Sequence, residues 1–464
     1  MPRSVWLVLA ASLAGSIVIA SAFPLVDPDE GRNAQVASEM AAQGDLVVPH
    51  LAGVPYLDKP PALFGLAALS IRAFGHRPLA VRLPAILAML ATLALLARAA
   101  LALDGEAHAW RAAALTAAAP LCAVIGAYVI FDMPLAACVT AVWTLLAREL
   151  ESGASRPRRL AMFLAVGLGV LFKGPVMLAW ALGGSAVAAL LLRDAAPLRW
   201  LGFWPGWVVG LGLPGAWFAA AVARHPEYVH YAFLEESFER LTTRTFHRDQ
   251  PWWFVPAVLA GGALPWSLVT PWRAPQSRAS RIAAAFALFG AGFFALSHSK
   301  LVTYLLPAFP ALAWWAAECW RRAARPGWML AATLAFTPLV LVLGFAPLED
   351  EATAASGAPL ARALRAVAAT RVRYEDCYSP GTDFLLGKPS VVVSATGEPL
   401  TSNYALRYRD ALRQRGLWTL VDSPSVAPAA DAIVRATRHA GVAPEGFREI
   451  FRDARFTAWR RIAH

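Results

Sequence analysis

Acidic and basic residues in two short, closely spaced stretches of the chain have the types needed for catalysis. The stretches are VDPDEGRNAQVASEM (26–40) and GVPYLDKPP (53–61). Their candidate residues are Asp29, Glu30, Arg32, Asp58 and Lys59. A carboxylate can accept a proton or orient a reacting group, and a cation can take up negative charge that develops on a leaving group. The two stretches therefore predict a site for acid–base chemistry on an anionic substrate.

The composition of the chain is that of a membrane protein. Hydrophobic residues make up 58% of its 464 residues, which is more than a soluble domain carries. The formal net charge of +11 comes largely from arginine, and in a membrane protein excess arginine marks loops on the cytoplasmic side. Nucleic acid is therefore not expected as a partner.

Eleven apolar segments approach the length of about 20 residues that a helix needs to cross the hydrocarbon layer. They are 4–24, 82–103, 109–127, 133–150, 159–172, 175–192, 200–222, 252–272, 282–297, 301–319 and 327–347. Arginine-rich connections follow alternate segments, which places those connections and the amino terminus inside. The loop 24–81, the turns at Asp132 and Lys173, the loop 223–251 and the turn 297–304 then lie on the outer face.

One further apolar segment, PALFGLAALSIRAFG (61–75), is too short to cross and is interrupted by Arg72. A crossing here would invert the arginine bias of every later loop, so we predict a helix that lies in the outer interface. The first segment, with Arg3 and the Ala-Ser-Ala triplet at 20–22, also has features of a cleavable secretory signal. With or without cleavage, the loop that follows is exported.

Charged residues become frequent after residue 347, and the pattern changes to short alternating segments. We predict strands at 389–395 and 417–423 and helices near 403–415 and 430–440. Residues 1–347, with the first external loop at 24–81, are thus predicted to form a membrane domain. Residues 348–464 are predicted to form a small α/β domain on the extracytoplasmic face.

Cysteine and histidine spacing indicates neither a disulfide framework nor a metal site. The four cysteines, Cys122, Cys138, Cys319 and Cys377, show no CxxC or CxxH spacing. His247 and His298 could join the nearby glutamates in a metal site, but no spacing requires one. We therefore predict that activity needs no metal and no other cofactor.

Ionisable residues near apolar segments are costly and usually line a functional cavity, and here they gather at one face. On the outer face they are Asp29, Glu30, Arg32, Asp58, Lys59, Asp132, Lys173, Glu235, Glu236, Glu239, Arg240, His298 and Lys300, with Tyr304 beside them. Each also has a simpler explanation. Asp29 and Asp132 could cap helices, Lys59 could extend to lipid phosphates, and Lys173 could only end a segment. The charges of FLEESFER (233–240) could form a solvated helix face.

The first external loop also resembles that of a known enzyme family. DPDEGRNAQVASEMAAQGDLVVPHLAGVPYLDKPP (27–61) is similar to the loop of the GT-C glycosyltransferases, in particular the lipid A aminoarabinose transferases and the protein O-mannosyltransferases. The motifs FDMP, FKGP, FLEESFER with HRDQPWWFVPAVLAGGALPWS, and SHSKLVTYLLPAFPAL follow in the family's order. Gly31 is a departure, because relatives often carry Thr there, and its effect would be a looser helix start.

The resemblance implies an inverting transfer of a monosaccharide from a polyprenyl-phosphate donor, such as an undecaprenyl phosphate sugar, at the outer face of the inner membrane. Matched by motif, Asp29 is the catalytic carboxylate and Asp132 a second acid. Lys59, Arg240, Tyr304 and Lys300 surround the lipid phosphate. Glu30, Arg32, Asp58 and Lys173 support them, with Arg32 and Lys173 pairing with the acids. The implied fold has two juxtamembrane helices in the first loop.

Three functions fit these residues. The first is the glycosyltransferase, with lipid A, a protein hydroxyl or another envelope glycan as the acceptor. The second is a flippase or transporter of lipid-linked sugars, which predicts polar residues in the middle of spans and broken helices in both halves. The third is a polymerase or ligase of longer lipid-linked glycans, for which the acidic pair at 29 and 30 has no explanation. The crowding of polar groups at one face favours the first.

Overall fold

The computed structural model describes residues 1–239, 249–323 and 327–462. The chain divides into two compact units, Met1–Ile19 with Leu83–Phe345, and Ala20–Arg82 with Ala346–His464. The second boundary, after Phe345, lies close to the domain boundary predicted at 347. The first external loop, however, groups with the C-terminal residues, whereas the sequence analysis assigned it to the membrane domain.

Helices dominate the chain. The first ten are α1 (Arg3–Ala22), α2 (Asp29–Gln43), α3 (Ala62–Phe74), α4 (Pro78–Leu103), α5 (Glu106–Ala118), α6 (Pro120–Ile125), α7 (Asp132–Ser152), α8 (Arg156–Lys173), α9 (Val176–Leu192) and α10 (Trp204–Arg224). Further α-helices up to residue 354 are Tyr228–His230, Phe254–Gly261, Trp266–Val269, Arg278–Leu296, Phe309–Arg322, Gly327–Leu343 and Phe345–Ala354. The turns Ala196–Gly202 and Val302–Ala308 are 3₁₀-helical, and Tyr231–Glu239 is a π-helix.

Every predicted segment contains helix, and the prediction of a multi-spanning helical protein is confirmed. By length and composition alone, five helices of the described residues can cross a membrane: α1, α4, α7, α10 and Arg278–Leu296. A sixth is possible if Leu330–Leu343 and Phe345–Ala354, which meet at a bend of 57°, form one span. The other predicted segments are shorter than 18 residues, interrupted by a break, or more highly charged. The predicted interfacial segment is α3, a helix of only 13 residues.

Small residues let the helices of the first unit approach closely. A Cβ atom built on Gly167 of α8 would lie 1.9 Å from the carbonyl oxygen of Gly210 in α10, so the two backbones are in direct contact. Small residues at helix contacts are typical of membrane proteins, because burial of apolar surface does not drive association in lipid. Large aromatic side chains fill the remaining core. The rings of Trp143 and Trp314, for example, pack edge to face with their centroids 5.3 Å apart.

The C-terminal part of the second unit is a small α/β domain, as predicted. Its helices are Ala358–Ala366, Pro380–Leu386, Asn403–Arg407 and Arg409–Gln414. Its strands are β3 (Val372–Glu375), β4 (Val391–Val393), β5 (Ala432–Ala436), β6 (Phe447–Arg452) and β7 (Phe456–Arg461). They form a mixed sheet of order β4-β3-β5-β7-β6, with β3 parallel to β4 and β5. Earlier in the unit, His50–Leu51 (β1) and Val54–Pro55 (β2) form a short hairpin.

Two predictions for this domain are wrong. The segment near 430–440, predicted as a helix, contains β5, which lies in the middle of the sheet and pairs with β3 and β7. Burial of its β-branched residues between two neighbouring strands outweighs the helical preference of the surrounding alanines. The segment 417–423, predicted as a strand, contributes only an isolated bridge between Val393 and Val421. The strand predicted at 389–395 is present as β4.

The first loop is anchored on the α/β domain by Asp27, two residues before α2. Its buried carboxylate accepts hydrogen bonds from the Ser379 hydroxyl (3.1 Å) and the Gly381 amide (3.2 Å), and it pairs with Arg455 at 3.1 Å. Burial raises the pKa of the Asp27 carboxyl, and the three partners oppose this effect only in part. The loop and the domain therefore share one polar anchor.

Two glycines make room for this anchor. A Cβ atom on Gly31 would lie 1.8 Å from Oδ1 of Asp27 and 2.8 Å from the amide nitrogen of Gly381. A Cβ atom on Gly381 would lie 2.6 Å from the same oxygen. The helix α2 nevertheless begins at Asp29, so the glycine at 31 accommodates the close approach of the domain without delaying the helix.

We expect Gly31→Ala to lower the free energy of unfolding by about 1–3 kcal/mol, because the added methyl group displaces either Asp27 or the backbone at Gly381. The measurement is thermal unfolding of the detergent-purified protein. Gly65→Ala in α3 is the matched control, since its Cβ atom would meet nothing closer than the Met40 sulfur at 3.9 Å. That substitution should be neutral or stabilising, and equal destabilisation by both would contradict the steric explanation.

Candidate active site

Asp29 and Arg32 form an ion pair on the first turn of α2. Nη2 of Arg32 lies 2.6 Å from Oδ1 of Asp29, and the side chains are 15% and 73% exposed respectively. Pro28 occupies the N-cap position, so Asp29 lies within the first turn. The positive end of the helix dipole stabilises its negative charge there. Asp29 therefore does not occupy the cap position, and its side chain pairs with Arg32 instead.

The other end of the Arg32 guanidinium is bound by the α/β domain. Nη1 donates to the hydroxyl of Thr401 (2.9 Å) and to its carbonyl oxygen (3.2 Å). Burial acts to lower the pKa of Arg32, but Tyr56, Asp29 and Asp58 outweigh it and raise the pKa above its ordinary value. Arg32 therefore stays charged at neutral pH.

Glu30, predicted as a supporting residue, forms a fully buried ion pair with Arg82. Nε and Nη2 of Arg82 donate to the two carboxylate oxygens of Glu30 at 2.8 and 2.5 Å. The same guanidinium donates to the carbonyl oxygens of Ala20, Phe23 and Pro24, which end α1 and lead into the loop. This ion pair ties the first turn of α2 to the end of α1, and the supporting role of Glu30 in catalysis stays a prediction.

Asp58, in the second stretch, binds the α/β domain as well. Its buried Oδ1 accepts the backbone N–H of Tyr404 at 2.9 Å, near the start of the helix Asn403–Arg407. Lys59 follows in the chain and is half-buried. The next two residues are prolines, and α3 begins at Ala62, so the backbone around Lys59 is restricted on its C-terminal side.

In the first unit, Asp132 and Lys173 form the second predicted pair. Asp132 is the first residue of α7 and Lys173 is the last residue of α8. The buried Asp132 carboxylate accepts a hydrogen bond from the partly buried Lys173 ammonium. The helices α7 and α8 are consecutive and joined by a short turn at 153–155, which brings the start of one to the end of the other. Each charge also has the sign that its helix dipole favours.

Tyr304 joins this pair, while Lys300 has a different contact. The ammonium of Lys173 lies 4.5 Å from the centroid of the Tyr304 ring, a cation–π contact. Nζ of Lys300 is buried and donates to the carbonyl oxygen of Gln250 at 3.2 Å. Glu235 is buried, and its Oε1 lies 3.1 Å from Nδ1 of His230. Arg240, predicted at the lipid phosphate, lies outside the described residues.

The sequence analysis missed Asp27, Arg82, Thr401 and Tyr404. Arg82 had a recognisable signal, because an arginine within an apolar helix needs a partner. In the α/β domain, the partners of Asp27, Arg32 and Asp58 lie more than 340 positions away in the chain, and no local pattern indicates such contacts. One global signal was also available: only four of the 42 basic residues are lysines, and three of these are predicted site residues.

Among the residues that the structure describes, no group of three or more His, Cys, Asp or Glu side chains could hold a metal ion. The four cysteines are buried and free.

Comparison with known proteins identifies similar sequences. A family model described as dolichyl-phosphate-mannose-protein mannosyltransferase matches residues 58–214, which include Lys59, Asp132 and Lys173. The undecaprenyl phosphate-alpha-4-amino-4-deoxy-L-arabinose arabinosyl transferase of Pectobacterium carotovorum subsp. carotovorum (strain PC1) is 31% identical over 301 residues, 62% of this chain and 54% of that protein. Transferase 2 of the same description from Sodalis glossinidius (strain morsitans) is 32% identical over 327 residues, 64% of this chain and 57% of that protein. The chain thus spans a little over half the length of these curated relatives.

We expect Lys173→Met to lower the free energy of unfolding by about 3 kcal/mol or more, because it leaves the Asp132 carboxylate buried without its cation. Thermal unfolding in detergent measures the loss. The double variant Asp132→Asn/Lys173→Met should regain much of it, since no charge then remains buried. Lys388→Met, at an exposed lysine, is the control; a double variant no more stable than Lys173→Met would contradict the pairing argument.

The similarity extends to three dimensions. The crystal structure of ArnT from Cupriavidus metallidurans bound to undecaprenyl phosphate superimposes with a TM-score of 0.82 at 24% identity, covering 100% of this chain and 99% of that chain. The chain therefore has the fold of this protein. Together with the sequence matches, this confirms the resemblance predicted from the first external loop.

Proposed function

We propose that the chain is an inverting glycosyltransferase that moves a monosaccharide from a polyprenyl-phosphate donor to an acceptor of the cell envelope. The Asp29–Arg32 pair carries the proposal: the carboxylate is 73% exposed, while Oδ1 is held 2.6 Å from the guanidinium. Such a carboxylate is accessible to an acceptor and fixed in direction. The relatives support the same chemistry, because they are named as arabinosyl transferases of undecaprenyl phosphate-linked 4-amino-4-deoxy-L-arabinose.

In the proposed reaction an acceptor oxygen attacks the anomeric carbon from the side opposite the phosphate. The bond between that carbon and the phosphate oxygen breaks, its electron pair leaves with the polyprenyl phosphate, and the anomeric configuration inverts. Negative charge grows on the leaving phosphate, where cations and hydroxyl donors stabilise the transition state. We assign this role to Lys59, Arg240, Tyr304 and Lys300.

The role of Asp29 depends on the acceptor. A sugar or protein hydroxyl loses a proton as it attacks, so Asp29 would accept that proton as a general base. A phosphate acceptor arrives deprotonated, so Asp29 would then only orient it. Asp132 is proposed as the second acid, which holds Lys173 against the Tyr304 ring and so keeps both groups ordered.

We also propose a location, a donor and an acceptor for the reaction. The arginine bias of the predicted loops supports the outer, periplasmic face of the inner membrane. The names of the relatives support undecaprenyl phosphate-linked 4-amino-4-deoxy-L-arabinose as the donor, and lipid A is the acceptor that we propose. Transfer should need no added metal.

The test is mass spectrometry of envelope lipids and glycoproteins from a deletion strain that carries an empty vector, the wild-type chain or Asp29→Asn. We expect a sugar-sized mass difference only with the wild type, because an amide cannot accept a proton or pair with Arg32 in the same way. Asp410→Asn, at an exposed acid in the α/β domain, controls for expression and charge.

The outcomes separate two failures. If wild type and empty vector give identical products, the proposed function is wrong. If Asp29→Asn, present at the wild-type level, restores the same products, then the chain transfers a sugar without the proposed role of Asp29.

A further inference from the structure

A short segment of the α/β domain holds both of the first-loop stretches that carry the predicted chemistry. The 401–404 segment, Thr-Ser-Asn-Tyr, binds Arg32 through both oxygens of Thr401. Three residues later, the backbone N–H of Tyr404 donates to Asp58. The segment is stiffened internally, because the Ser402 hydroxyl oxygen accepts the N–H of Ala405 and caps the helix that follows.

The backbone at Thr401 is unusual for its residue type. Its φ of +52° lies in the left-handed region, which is rarely adopted by a β-branched residue and costs on the order of 1 kcal/mol or more. Glycine or asparagine would occupy the same turn with less strain. A threonine there brings a hydroxyl group, which glycine lacks, and that hydroxyl oxygen is 2.9 Å from Nη1 of Arg32.

The guanidinium of Arg32 transmits this contact to Asp29. Nη1 is bound by Thr401 and Nη2 by Asp29, and the group is planar and rigid. Fixing one nitrogen therefore fixes the other, and with it the direction of the Asp29 carboxylate. A free Arg32 could still pair with Asp29, but in several geometries.

We propose that Thr401 is a positioning residue, through which the α/β domain orients Arg32 and thereby the catalytic carboxylate of Asp29. The inference rests on the proposed function, because it takes Asp29 as the group that meets the acceptor. It gives the C-terminal domain a part in the transfer step in addition to its structural contacts with the loop.

The experiment compares Thr401→Val, Thr401→Gly and Thr401→Ser in the purified full chain, with undecaprenyl phosphate-linked aminoarabinose as the donor and lipid A as the acceptor. We expect Val and Gly to lower kcat roughly tenfold with the donor KM unchanged, since each removes one hydrogen bond to a charged group. Ser keeps the hydroxyl and should retain most of the wild-type kcat. Gly also relieves the backbone strain, so strain at this position cannot explain a loss of kcat that Val and Gly share.

The matched control is Thr419→Val. The Thr419 hydroxyl also joins the domain to the first loop, donating to the carbonyl oxygen of Ala52 at 2.6 Å, but it does not bind Arg32. Its removal should change thermal stability and leave kcat unchanged. Wild-type kcat in Thr401→Gly, or an equal loss in Thr419→Val, would overturn the inference. No transfer by the wild type would instead overturn the proposed function.

Discussion

The buried ion pair between Glu30 and Arg82 determines where the first external loop begins and which way α2 leaves it. Two buried charges lose their hydration and are stable together only when their hydrogen-bonding groups are used. Arg82 meets this requirement with both oxygens of Glu30 and with the carbonyl groups of Ala20, Phe23 and Pro24. Those carbonyls lie at the end of α1 and just after it, where a helix has acceptors without partners and favours a cation. One arginine thus ends one helix and positions the next, and Asp29 and Arg32 lie on the turn that it fixes.

The two acid–base pairs use the same physical arrangement in different parts of the fold. In each, the acid is the first residue of a helix. The base comes either from the same turn, as in Arg32, or from the end of the neighbouring helix, as in Lys173. The base also touches a tyrosine ring in both cases, with Arg32 at 6.0 Å from Tyr56 and Lys173 at 4.5 Å from Tyr304. Each base suits its site. The planar guanidinium of Arg32 binds two partners at once, whereas the ammonium of Lys173 acts as a compact charge.

The α/β domain is joined to the first loop by polar contacts that use the loop's acids and arginine. Asp27 binds Ser379, Gly381 and Arg455, and the glycines at 31 and 381 let these groups approach. Arg32 and Asp58 bind the 401–404 segment. Three ionisable residues of one short loop therefore depend on partners in the C-terminal domain for their orientation, and changes in that domain can alter the proposed chemistry without touching a reacting group.

The sequence by itself determined the helical membrane architecture, because apolar length and arginine bias are local properties of the chain. The resemblance to the enzyme family implied that Arg32 and Lys173 pair with the acids, and both ion pairs are present: Asp29 and Arg32 lie on one helical turn, and Asp132 and Lys173 are the first and last residues of a helical hairpin. Local pattern failed at 430–440, where pairing with strands from distant parts of the chain makes β5 a central strand in place of a helix. Only the tertiary structure showed that Thr401, Tyr404, Ser379 and Arg455 hold the first loop. Such contacts depend on how distant segments fold together, and a hydrogen bond across more than 340 residues leaves no periodicity or spacing in the sequence.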